Sequence, residues 1–490
     1  MINRQYYSFI FLGLICLLLS LMFCPLVKTT YMDTIIFRYA GMAIMKGQVP
    51  YRDFFDHKPP LIFFVNFAGV LIGSWGLWII DLCMALLATL VFFDLCRKYR
   101  LPFPWLLPLL FNLMIRDFLI CRGLGMTREF TCYLQILFFC VLLGKSQYRY
   151  FLLGLLSALT FFMQQDQVLP LVPFGVYALL SNDPMPVPNR LIRLVSGFMT
   201  ILLLLLLYFA WNHALGYFWD DAFRFNFTMY TSEKKSFFDH FRTTKRVLDG
   251  TNYQFPFMIS ITLGVTSLFL QNRKKGLVIA ALMAVFLSLA PEFMGGRPLH
   301  EDFVYYFVSV SASVTLLLFT VFAFTEDQIL ADRSAQLSYG FLLCCSLCYT
   351  NLQHATHLTP ADEPDNLLNA RIMDYLRQHK PDDYQLYSFG GNGYIYAYNE
   401  FKILSPTRFI YQHFWEWLDR WDPDGHLLQT VEQDLIRHRT TYIIVDWLPV
   451  GRFRNTADIT LWTSFLRDHY QRVPIPDTGT VELWKIKDPG

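Results

Sequence analysis

The sequence predicts a polytopic α-helical membrane protein, with about eleven transmembrane helices and a small C-terminal α/β domain. Three observations predict it. The 490 residues are 54% hydrophobic and only 16% charged, with a mean hydropathy of +0.33, far more apolar than a soluble domain. The apolar residues come in runs, such as FIFLGLICLLLSLMF (Phe9–Phe23) and TILLLLLLYFAW (Thr200–Trp211), which approach the length of a spanning helix. After residue 350 those runs stop and the chain becomes mixed and polar. The net charge of +2 and the lack of a basic block argue against a nucleic-acid partner. Ten cysteines are scattered, mostly inside apolar runs, and none follows Asn351. They form neither a disulfide framework nor a zinc spacing.

The helices follow in order, oriented by the Lys/Arg bias of cytoplasmic loops. The first, Tyr6–Val27, follows Arg4 and starts inside. The sequence CPLVKTTYMD after it is a poor cleavage site, so it reads as a retained helix rather than a signal peptide. The apolar piece Leu61–Gly73 is short and broken by Asn66 and Gly69, and is expected on the membrane surface. Trp75–Leu95 is then the second span and leads to an inner RKYR. Phe103–Ile115 goes out, Thr127–Leu143 in, Tyr150–Met163 out, Val168–Leu180 in and Leu191–Trp211 out. Phe255–Leu270 returns, Leu277–Ala290 goes out, Phe303–Phe324 comes in and Leu337–Tyr349 goes out. The outer loops are therefore 28–74, 116–126, 212–254 and 291–302 within a membrane domain 1–350, and residues 351–490 form an extracytoplasmic domain. There NLLNARIMDYLRQH and LLQTVEQDLIRHR have helical period, and YQLYSF and TYIIVDW read as strands. The motif GGNG lacks the spacing of a dinucleotide or phosphate loop.

Chemistry concentrates in the outer loops. Asp33 stands a few residues beyond the first helix, where partial burial raises a carboxylate toward a useful base; the alternative is a solvated loop aspartate. In YRDFFDHKPP (Tyr51–Pro60), the paired prolines fix an extended entry into the Leu61 segment and hold Lys58 at headgroup level. A cation there suits a lipid-linked phosphate, and snorkelling is the alternative. Arg52, Asp56 and His57 lie beside it. Glu129 begins a helix after the second outer loop, where a carboxylate also simply favours the helix dipole. GGRPLHEDFVYYF places Arg297 and His300 in the last outer loop, with two glycines to bring Arg297 toward a ligand. Together these place two carboxylates and at least two cations on one face. A carboxylate to deprotonate an acceptor hydroxyl and cations to stabilise a departing phosphate are what transfer from a lipid phosphate carrier needs.

The stretch DTIIFRYAGMAIMKGQVPYRDFFDHKPPLIFF resembles the first extracytoplasmic loop of the bacterial GT-C glycosyltransferases, the relatives of protein O-mannosyltransferases and of the lipid A aminoarabinose transferase. Their pattern is an acid after helix one, an alanine-containing helix, G..pY.D and hKPPL. GMTREFTCYLQILFF and GGRPLHEDFVYYF resemble, more loosely, a second acidic motif and a late GR…H loop. The resemblance covers roughly residues 1–350 and implies a GT-C-like fold and inverting transfer from a polyprenyl-phosphate sugar to a hydroxyl of a glycan, lipid or protein. It implies Asp33 as general base, Lys58 and Arg297 on the phosphate with Arg52 and His57 nearby, and Glu129 positioning the acceptor or Asp33. It also implies a bacterial cytoplasmic (inner) membrane location. Asp33–Thr34 stands where many relatives carry Asp-Glu, leaving one carboxylate, so a divalent metal such as Mg or Mn is not favoured and no cofactor is expected.

A transporter or flippase of lipid-linked saccharides needs ionisable groups near the midplane, whereas these cluster in outer loops. Gln164, Gln165 and Asp166 fall at a short outer turn and argue for no pathway. A polymerase or ligase of lipid-linked saccharides relies on an arginine-rich outer loop; Arg224, Arg242 and Arg246 in the 212–254 loop keep that alternative open. A purely structural subunit leaves the charge grouping in Tyr31–Pro60 unexplained.

Overall fold

The computed structural model describes residues 2–26, 32–117, 125–230, 254–270, 272–290, 307–325, 337–345, 347–348, 370–390, 394–410, 426–447 and 456–487, with 238 and 242. The N-terminal part is helical: α1 Ile2–Leu21, α2 Met32–Met45, α3 Leu61–Ile72, α4 Gly76–Lys98, α5 Leu106–Ile115, α6 Thr127–Leu143 and α7 Arg149–Met163. A 3-10 segment, Gln165–Leu171, leads into α8 Val172–Leu180, followed by α9 Val187–Trp211 and α10 Leu215–Trp219. Two π-helical turns, Asp220–Arg224 and Asn226–Tyr230, precede α11 Gln254–Phe269, α12 Lys275–Ser288 and α13 Val308–Phe324.

Two of these, α4 and α9, are by themselves long and apolar enough to cross a bilayer. Among the described residues, part of α1 (Tyr7–Leu21), α3, α5, α7, α11, α12 and α13 are shorter apolar helices, so the count of about eleven spans stays an expectation. Outward-facing apolar side chains on α9 (Leu203, Leu204, Leu207) and α1 (Ile10, Leu14, Leu18) leave the surface greasy where a bilayer would cover it. Small residues let helices approach. In α7 and α9 a Cβ on Gly154 would stand 1.9 Å from the Leu194 carbonyl oxygen, and one on Gly197 would stand 2.0 Å from that of Phe151.

Helix ends gather at two opposite faces. At one, Tyr99 after α4 packs its ring on Phe319 and Phe324 of α13. Lys274 before α12 lies over the Phe324 ring, and Arg149 of α7 pairs with Asp183 after α8. At the other lie the 46–60 loop, the start of α6, the 3-10 segment and α10 with its π turns. The helix α3 has 12 residues, a length of about 18 Å.

One expectation needs correction. The stretch after Asn212 is not a loop from its start: residues 215–230 are helical. Phe218, Ala222 and Phe225 face inward at helical spacing, and the Phe218 and Phe225 rings pack against Tyr51 and Phe55.

The C-terminal part is α/β, as predicted. Helices α14 Ala370–His379, α15 Ile395–Phe401, α16 His426–Arg437 and α17 Thr456–His469 surround strands β1 Leu386–Phe389, β2 Tyr442–Asp446, β3 Tyr470–Arg472 and β4 Val481–Ile486. The sheet order is β1-β2-β4-β3, parallel between β1 and β2 and antiparallel elsewhere. β1 and β2 are almost wholly buried apolar strands, covered on both faces. This domain sits on α2 and the 46–60 loop. Asn399 donates to the Ile35 carbonyl, the Ser405 amide donates to the Tyr39 hydroxyl, and the Phe55 amide donates to the Arg408 carbonyl.

Candidate functional site

The site is built around α2 and the segment that follows it to Pro60. The helix α2 begins with Met32, carries Asp33 in its first turn, and leaves that side chain half-buried. It packs on α3 with both running the same way: Phe37 meets Phe63, and one turn later Gly41 meets the backbone of Asn66. That pairing fixes the site. Asp33 lies one turn before Phe37, and Lys58 lies just before α3, so both stand at the same end of the pair.

The Tyr51–Pro60 segment between these helices is tied down from inside. Tyr51 has φ of 69°, unusual for a non-glycine residue, and is fully buried among Phe63, Phe209 and Phe218. Its hydroxyl donates to the Lys58 carbonyl at 2.7 Å, and burial holds the phenol well above its usual range. The buried Asp56 carboxylate accepts the Lys58 amide at 2.9 Å, an Asx turn that closes the bend before the prolines. Pro60 has helical torsions and caps α3, so the extended entry expected for both prolines ends one residue earlier. The Lys58 backbone is thus held from both sides. Its ammonium is half-buried and, among the described residues, engaged in no hydrogen bond or ion pair.

The neighbouring candidates are placed differently. Arg52 forms a bidentate pair with Asp53, at 2.8 and 2.7 Å, and donates to the Asn212 carbonyl. His57 holds its Nδ1 3.7 Å from Asp56 and its ring against Phe225. Glu129 is fully buried. It accepts the amides of Gly125 and Met126 at 2.9 and 3.1 Å, capping α6, and lies 3.4 Å from Arg116. Arg116 also pairs with the buried Asp81 of α4 and donates to Tyr133. Arg297 and His300 lie outside the described residues, as do Glu301 and Asp302.

Two ion pairs at this face were not singled out from the sequence. Arg128, one residue before Glu129, pairs with Asp166 at 3.0 Å and donates to Ser309. Asp166 also accepts from the side-chain amides of Gln164 and Gln167 at 2.7 and 2.9 Å. Burial pulls the Asp166 carboxyl upward, but the Arg128 guanidinium, the two amides and the more distant Lys58 ammonium outweigh it and hold it below its usual range. The second pair is Arg408 with Asp221. The guanidinium lies over the rings of Phe55, Tyr217 and Phe409, so the C-terminal domain grips both the first outer segment and the π-helical turn. Burial pushes the Asp221 carboxyl up to about 7 against the pull of Arg408, with Asp220 and Asp56 adding to the rise.

Asn226 links these parts. Its side-chain amide donates to the His57 carbonyl at 2.7 Å and to Gln165 Oε1 at 3.3 Å. The residue before Lys58 and the residue before Asp166 therefore share one donor. Among the described residues no group of three or more His, Cys, Asp or Glu side chains gathers as a metal site.

No family model matches the chain, and no curated protein matches it. Among solved structures it is similar to a crystal structure of ArnT from Cupriavidus metallidurans bound to undecaprenyl phosphate. The likeness covers 99% of this chain and 98% of that one, with a TM-score of 0.61 at 11% identity. At that identity the likeness speaks for the fold, and it runs through both the helical part and the C-terminal domain. The chain has the GT-C-like polytopic fold that the sequence resemblance implied.

Proposed function

We propose that the protein is an inverting glycosyltransferase that moves a hexosyl or pentosyl group from a polyprenyl-phosphate carrier to an acceptor hydroxyl at the outer face of a bacterial inner membrane. Its N-terminus is inside and its C-terminal domain extracytoplasmic. The observation that carries this reading is the parallel α2–α3 pair, which sets a half-buried carboxylate and an unspent lysine at one end. The fold shared with a protein that binds undecaprenyl phosphate supports a lipid-linked donor.

In this reading the acceptor hydroxyl gives its proton to Asp33 as its oxygen attacks the anomeric carbon from the face opposite the phosphate. The bond between that carbon and the phosphate oxygen breaks, and polyprenyl phosphate leaves with the bonding electrons. Lys58 and Arg297 bind the phosphate and offset the charge that grows on it, with Arg52 and His57 flanking them. Glu129 acts from the α6 terminus by holding the second outer loop. The C-terminal domain closes the acceptor side through α15 and Arg408.

The test is a donor screen. Purified protein is incubated with lipid extracts rich in polyprenyl-phosphate sugars, and free polyprenyl phosphate is followed by mass analysis. Release that requires Lys58 supports the reading. Uptake of intact lipid-linked saccharide into the opposite leaflet, without release, would overturn it in favour of a flippase.

A further inference from the structure

Helices α7 and α9 run side by side in the same direction. Near their starts the Arg193 guanidinium donates to the Gln147 carbonyl at 2.8 Å, and further along the Phe198 ring meets that of Phe161. Gly154 and Gly197 bring the two backbones into contact. On the N-terminal side of that contact lies a cavity of about 290 Å³, lined by Gln147, Tyr148, Phe151 and Arg193. It belongs to the face that carries the Arg149–Asp183 pair, opposite the Lys58 segment. We propose that this cavity is a headgroup site for an anionic glycerophospholipid. The phosphate binds Arg193 between the two helix starts, and the acyl chains run along the outer surface of α9.

Charge and shape both select that ligand. Arg193 is exposed and forms no ion pair among the described residues; one nitrogen is spent on Gln147, and the rest of its planar fork is open to a phosphate. The nearby carboxylate is taken, because Asp183 holds Arg149. Arg190 spends its guanidinium on main-chain carbonyls between Ala178 and Met185 rather than on an acid. Residues 144–150 and 181–196 therefore set four cations, Lys145, Arg149, Arg190 and Arg193, against one acid, Asp183, an excess of three. The starts of α7 and α9 add the positive ends of two helix dipoles. The orientation bias of loop lysines and arginines accounts for such an excess, but not for a cavity that one of them lines. The surroundings of Arg193 are those of an amphiphile and not of a soluble anion: Leu191, Ile192 and Val195 are exposed around it on α9, and Tyr148 is exposed across the cavity. Basic pockets between spanning helices hold lipid headgroups in this way. The volume stands at the lower end for small-ligand pockets, about 300 Å³, room for a headgroup with its tails outside.

The test is equilibrium binding of lipid to the full chain, delipidated in a neutral detergent and read by native mass spectrometry. The probes are phosphatidylglycerol, zwitterionic phosphatidylcholine with the same acyl chains, and inorganic phosphate as a competitor. Wild type is expected to bind phosphatidylglycerol about tenfold tighter than phosphatidylcholine. Arg193→Gln is expected to lose about tenfold in phosphatidylglycerol affinity, and with it the preference, while phosphatidylcholine binding changes by less than about twofold. Arg100→Gln removes an exposed arginine just after α4, at the same face but outside the cavity, and is expected to bind both lipids as wild type does.

Equal affinity of wild type for the two lipids overturns the proposal, a measurement that holds even where the variant does not fold. So does an Arg193→Gln protein that keeps the preference. An Arg100→Gln protein that loses as much would make the effect one of general surface charge, and displacement of the lipid by millimolar inorganic phosphate would make the cavity a site for a free anion; either result also overturns it. Loss of the preference in Arg193→Gln alone, with inorganic phosphate without effect, supports it.

Discussion

Gly41 of α2 lies against the main chain of Asn66 in α3, where a Cβ would stand 2.6 Å from the Asn66 carbonyl carbon. This contact sets the separation of the two helices that bring Asp33 and Lys58 to one end. Backbone on the far side cannot yield as a flexible side chain would. Gly41→Val is therefore expected to cost about 1–3 kcal/mol of stability and to lower transfer by up to about a hundredfold through misplacement. Thermal unfolding beside turnover checks it; unchanged turnover would mean that this spacing does not set the site.

Lys58→Ala is expected to act on the donor. Losing a charge-assisted contact to phosphate costs about 1.5–3 kcal/mol, which is roughly a ten- to hundredfold rise in the donor KM. Acceptor saturation stays as it was. The backbone contacts of Lys58 to Tyr51 and Asp56 do not involve the side chain, so folding is expected to be intact, as circular dichroism and elution volume report.

The Asp221–Arg408 pair predicts a pH dependence. Burial raises the Asp221 carboxyl to about 7 in the folded protein, above the unfolded value of about 3.9. A carboxyl with a raised folded pKa binds its proton more tightly when folded. Its contribution to stability is therefore present at low pH and lost as pH rises through about 7. The melting temperature of wild type minus that of Asp221→Asn is expected to fall between about pH 4 and pH 7. A difference that grows with pH would contradict the assignment.

Sidedness has a direct check. With Cys83, Cys121, Cys345 and Cys348 replaced by serine, a cysteine at exposed Gln429 in α16 is expected to react with an impermeant maleimide on intact cells. One at exposed Lys145, between α6 and α7, is expected to stay protected until lysis. The reverse pattern would invert the proposed topology and move Asp33 to the cytoplasm.

How far the molecule could be read from its sequence depends on the range of the interaction. Local period and composition carried the start of α6 at Thr127, the short helix after Pro60, and the strands inside YQLYSF and TYIIVDW. Each reflects forces acting within a few residues. The grouping of Asp33 with Lys58 was legible because the two sit in one short segment. The ion pairs were not. Asp221 and Arg408 are 187 residues apart and Asp81 and Arg116 are 35 apart, and nothing local in a loop charge names its partner. One signal was there to use. Asp81 interrupts the apolar run of α4, and a carboxylate at such a position demands a cation from elsewhere in the fold. The helical continuation at 215–230 was also legible in the Phe218, Ala222, Phe225 spacing. Asp166 was read only as a turn acid because its partner Arg128 comes from a distant helix.

The account stands on Asp33 as the proton acceptor beside a lipid phosphate, and one comparison tests that most directly. Wild type and Asp33→Asn are purified and supplied with the same donor-bearing lipid extract, and release of polyprenyl phosphate is timed. The variant, which keeps the fold and the Lys58 side, is expected to bind the donor as wild type does. Its release is expected to be slower by roughly 10²–10⁴-fold, the usual worth of a general base. Release at the wild-type rate by Asp33→Asn would contradict the account.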